Sequence, residues 1–170
     1  MEKQIKKRPG PSEFLSVEGI EYFLFEEDFV EDNIRCIPVI VRFKMDKAGI
    51  KLKLAEWSKF TVEERIELAK KECNNDDETK QYHDYLSYLI ASHTGKEATA
   101  LEIDKAPVWA DVNVVPELLN EKLKRLGGSL TVEQWCGLTH LQRFALLKLC
   151  KEGHEHKNLP KAMKEFKLAE

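Results

Sequence analysis

The chain repeats itself without a gap at an offset of 78 positions, so that Pro38 matches Pro116, Lys44 matches Lys122 and Gly49 matches Gly127. In the same register Leu52 matches Leu130, Trp57 matches Trp135, Thr61 matches Thr139, Arg65 matches Arg143, Leu68 matches Leu146 and Lys70 matches Lys148. Columns between these identities agree in kind, as in Val41 with Leu119, Met45 with Leu123 and Glu64 with Gln142. A solenoid needs about three or more repeats to bury a continuous core, so two copies point to a duplicated helical unit closed on itself. A duplication constrains architecture and brings no chemistry of its own.

The punctuation inside each copy is helical. Pro38 suits the first position of a helix, where its missing N–H costs nothing, and Gly49 suits the left-handed residue after the helix end. Pro116 and Gly127 repeat the pattern. After each glycine comes a short extended approach, residues 50–53 and 129–130, then a helical turn carrying the tryptophan. Thr61-Val62-Glu63-Glu64, Thr131-Val132-Glu133-Gln134 and Thr139-His140-Leu141-Gln142 are capping boxes, in which the side chains satisfy N–H groups left unpaired at a helix start. They predict helices over about 62–72 and 140–151, with Gly153 able to end the second. A further helix is predicted over about 77–92, closed by Gly95. Tyr82, Tyr85, Leu86, Leu89 and Ile90 fall on one face of it. Its shorter counterpart is predicted over about 159–168. Residues 96–115 link the copies, and residues 20–29 read either as a strand or as an arm packed across the helices.

The fold class expected is therefore all-α, with two pseudo-equivalent helical units at about 38–95 and 116–170. Together they make one helical domain over 20–170, preceded by an N-terminal arm and a flexible basic tail over 1–19. Apolar residues are 42% and charged residues 34% of the chain, which is ordinary for a globular protein. A net charge of −3 supplies no basic stripe for nucleic acid. No apolar run approaches the eighteen or so residues of a membrane span. The first eleven residues carry Lys3, Lys6, Lys7 and Arg8 with no apolar stretch behind them, unlike a secretory signal. Cys36, Cys73, Cys136 and Cys150 are widely spaced, and a chain this long builds a core without staples. Reduced thiols in the cytoplasm are the expectation.

Candidate chemistry is sparse. Trp57 and Trp135 are expected to plug the gap between the first and third helices of each copy, and Arg65 and Arg143 to bond carbonyls of a neighbouring turn. Cys150, His154 and His156 have ligand types suited to zinc or copper, but no fourth ligand lies near them, and no metal site is expected. Cys136 and His140 could form a nucleophile pair, although the Thr139 cap breaks any helix between them. No Gly-rich phosphate loop, Gly-x-Ser-x-Gly or His-Glu-x-x-His motif is present. The expectation is no catalytic residue, no metal and no cofactor. One segment suggests recognition: Glu26, Glu27, Asp28, Glu31 and Asp32 surround Phe25, Phe29 and Val30. An acidic run interleaved with aromatics can dock a basic partner as well as form a solvated face. Phe25, Glu26, Glu27, Asp28, Glu31 and Asp32 are the candidate partner-binding residues.

These segments together resemble a known family. Phe25 to Val30 followed by Arg35-Cys36-Ile37-Pro38 resembles its opening signature, and Gly49-Ile50-Lys51-Leu52 running into Trp57 its middle. Trp135 to Leu149, with Leu141-Gln142-Arg143-Phe144-Ala145-Leu146 and then His154-Glu155, resembles its closing segment. The family is the nitrate reductase-associated proteins, small bacterial proteins best known in cyanobacteria, and the likeness covers about Phe23 to Leu168. Members are typically encoded near genes for assimilatory nitrate reductase and the molybdopterin cofactor, and asparagine is usual where His156 stands here. The resemblance implies a non-catalytic accessory role in nitrate assimilation, through binding to nitrate reductase or to a molybdenum-cofactor maturation factor. The alternative from the residues themselves is a small cysteine/histidine-dependent enzyme or a redox or metal-binding protein.

Overall fold

The computed structural model describes residues 20–26, 37–151 and 157–170. Among these the chain is mostly helical, and its contacts cluster into two compact units, Met1–Ile103 and Asp104–Glu170.

In the first unit, residues 20–26 end in a 3-10 turn, Leu24–Glu26, and not in a strand. Helix α1 follows at Val39–Ala48, then β1 at Ile50–Lys51, α2 at Leu54–Trp57, α3 at Val62–Lys70, α4 at Asp76–Thr94 and β2 at Thr99–Ala100. Pro38 stands one position before the first helical residue, with ψ in the extended range. Its carbonyl accepts the Val41 and Arg42 N–H groups. Gly49 ends α1 at φ +74°, a left-handed conformation that a Cβ disfavours. A Cβ there would also lie 3.0 Å from the Ile103 side chain and 3.2 Å from the Leu101 carbonyl. The chain can approach so closely because β1 and β2 pair antiparallel, Ile50 with Ala100 and Lys51 with Thr99. Residues 99–103 are thus part of the first unit's packing, where the sequence suggested only a link.

Helix α1 is buried almost all round, because α3 and α4 both pack on it. Its Lys44 is buried with it and donates to the Ala69 carbonyl at 2.8 Å, in the last turn of α3, where a cation meets the negative end of the helix dipole. Asn75 caps α4 by accepting the Glu78 N–H, and Asp76, Asp77 and Glu78 place negative charge at the positive helix end. Tyr82, Leu86, Leu89 and Ile90 form the buried face. Tyr85 lies at its margin under the Lys71 ammonium.

The second unit begins with a 3-10 turn, Val108–Ala110, followed by α5 at Glu117–Arg125, α6 at Val132–Cys136, α7 at His140–Leu149 and α8 at Leu159–Glu165. Helix α7 is the centre of the unit and contacts the 3-10 turn, α5 and α8. Gly127 adopts φ +76°, and the Gly128 N–H returns to the Leu123 carbonyl, closing α5. Three capping boxes form as expected, at Thr61/Glu64, Thr131/Gln134 and Thr139/Gln142. Helices α3 and α7 each end about two residues earlier than predicted.

Proline, glycine, capping box and tryptophan therefore recur in the two units. What closes each unit differs. The 19-residue α4 packs on α1 and α2 in the first. In the second, α8 has 7 residues, and the stretch around the 3-10 turn lies against α7 instead.

Candidate functional site

Trp57 and Trp135 are the last large side chains of α2 and α6, and both are fully buried. Each helix stops just after its tryptophan, which leaves its last carbonyls without intrahelical partners. An arginine from the first turn of the next helix supplies the donors. In the first unit Arg65 Nε donates to the Trp57 carbonyl at 3.1 Å and Nη2 to the Ser58 carbonyl at 3.0 Å. In the second unit Arg143 Nη1 donates to the carbonyls of Trp135, at 3.4 Å, and of Leu138. Each guanidinium also faces the ring of its own tryptophan, at 5.6 and 5.9 Å from the centroid, a cation–π distance. Burial draws the pKa of both arginines below the ordinary value, while Glu64 beside Arg65 and Cys136 beside Arg143 pull the other way. Both remain cationic, as guanidinium does in proteins. The sequence expectation of arginines bonding a neighbouring turn is met in both units.

The second unit adds a layer. Arg143 Nε donates to the Trp109 carbonyl at 2.7 Å, and the Trp135 indole N–H donates to the Asp111 carbonyl at 2.8 Å. These two carbonyls lie two residues apart and fix the stretch over 109–111. Arg143 Nη2 lies 2.7 Å from His140 Nδ1. A guanidinium only donates, so His140 Nδ1 accepts and its ring proton sits on Nε2. The Trp109 ring stacks edge-on to that imidazole at 5.2 Å. Helix α6 ends at Cys136 and α7 begins at His140, so the two residues flank a break between helices. His140 is engaged with Arg143 and Trp109, and the Cys136 thiol is exposed.

The remaining sequence candidates fall differently. Cys150 is buried at the end of α7, and burial pushes its thiol up to about 11 against the pull of the Lys122 charge. At that value it is a neutral thiol at pH 7, and a thiol acts as a nucleophile only as the thiolate. His154 and His156 lie outside the described residues. Among the described residues no group of three His, Cys, Asp or Glu side chains could hold a metal ion.

Phe25 and Glu26 are both buried within the first unit. Glu26 Oε1 accepts the Val39 N–H at 2.7 Å, and Oε2 accepts the Phe23 N–H at 3.0 Å. Pro38 cannot cap α1 with its own side chain, and a carboxylate from thirteen residues upstream takes that role. Sequence pattern placed Glu26 in an acidic run, and only the fold shows that it caps α1. Glu27, Asp28, Glu31 and Asp32 lie outside the described residues.

A contact missed by the sequence reading joins His93, in the last turn of α4, to Glu64 of the α3 capping box. His93 Nε2 lies 2.8 and 3.1 Å from the two carboxylate oxygens. The same carboxylate accepts the Thr61 N–H at 2.8 Å. Burial raises the Glu64 pKa, but the Thr61 N–H and the hydrogen bond and charge of His93 outweigh it and hold the group below its ordinary value.

The described residues thus define a small helical protein whose buried charges end and begin helices. No helix is long and apolar enough to cross a membrane among them. A family model described as conserved nitrate reductase-associated protein matches residues 22–166, most of the chain. The chain belongs to the nitrate reductase-associated family. Comparison with curated proteins and with solved structures gives no match.

Proposed function

We propose that this chain is a non-catalytic, cytoplasmic accessory protein of nitrate assimilation. It supports the maturation, cofactor loading or activity of a molybdenum-dependent nitrate reductase by binding the enzyme or a molybdenum-cofactor maturation factor. The observation that carries this reading is the family match over residues 22–166. The use of Arg65, Arg143, Lys44 and Glu26 inside the fold supports it, since these charges hold helix ends together. Docking is assigned to the carboxylates of Glu27, Asp28, Glu31 and Asp32, with Phe25 and Glu26 as the anchor that fixes the start of this segment against α1.

Affinity capture from the native host, with tagged protein at natural abundance, tests the proposal. The expected result is specific recovery of nitrate reductase or a cofactor maturation factor, together with reduced cofactor occupancy of the reductase in a strain lacking this protein. Recovery of neither, with normal reductase occupancy and activity in that strain, overturns it.

A further inference from the structure

We draw no further inference here: the strongest candidate, the set of exposed apolar side chains Val114, Leu118 and Leu126 on and beside α5 in the second unit, carries none because nothing in the structure shows what covers it.

Discussion

Glu26 caps α1 from a buried position. It is fully buried, and its carboxylate holds the first N–H of α1. A buried hydrogen bond to a charged acceptor contributes about 1.5–3 kcal/mol. Glu26→Gln keeps the shape and removes the charge, so it is expected to lower stability by roughly that amount in equilibrium urea denaturation. An unchanged denaturation midpoint would return Glu26 to the acidic docking surface. Arg143 illustrates the same economy in the second unit, where one guanidinium serves the carbonyls of Trp109, Trp135 and Leu138. Lysine has three donors on a single nitrogen and cannot reproduce that planar fork.

At the scale of elements, the junction of α3 and α4 depends on the ionisation of Glu64. Its folded pKa lies below the ordinary carboxylate value. The stabilisation it adds is therefore complete above the unfolded pKa, about 4.3, and is lost as pH falls through the folded one. Glu64→Gln keeps the capping box, as Gln142 does in α7, but has no proton to gain. Comparing denaturation midpoints at pH 7 and pH 3 should show a smaller acid loss in Glu64→Gln than in the unaltered protein. Equal losses would mean that the contact with His93 adds nothing on ionisation. The acidic segment makes a separate prediction. Changing Glu27, Asp28, Glu31 and Asp32 together to their amides should slow association with the captured partner and leave the denaturation midpoint unchanged. Charges at the rim of an interface steer encounter, and salt screens them over about 8 Å at physiological ionic strength. The unaltered protein should accordingly associate more slowly as salt is raised, and the amide variant should respond less. A rate indifferent to both changes would make the segment a solvated face.

Across the whole molecule, each unit is built round one tryptophan and one arginine, yet the two tryptophans are covered differently. Trp57 belongs to α2, on which α4 packs, and Trp135 is bonded by the stretch before α5. Trp57→Ala and Trp135→Ala should each cost about 3–5 kcal/mol, because each removes a fully buried ring. Amide hydrogen exchange would then show faster opening first in the unit that carries the change. A variant that lost partner binding at unchanged stability would instead place its tryptophan on a functional surface. Descent of the two units from one duplicated ancestor is a proposal that rests on the ungapped sequence register.

The sequence by itself determined the local devices. Gly49, Gly95 and Gly127 at helix ends, the three threonine capping boxes and the apolar face of α4 follow from backbone sterics and periodicity and formed, whereas Pro38 and Pro116 stand one position before the first helical residue and Gly153 lies outside the described residues. The family was legible for a related reason, since its signature segments are contiguous in the chain. Only the tertiary structure decided which charges face inward. Glu26 and Glu27 are adjacent and chemically alike, and nothing local says that one reaches Val39. Nor does any pattern announce that residues 99–103 would return to Gly49, that residues 109–111 would meet Trp135 and Arg143, or that His93 would find Glu64. Those partners are separated by 13 to 54 positions, and their contacts exist because packing of the apolar faces brings the segments together. Hydrogen bonding then selects which polar atoms can be buried there.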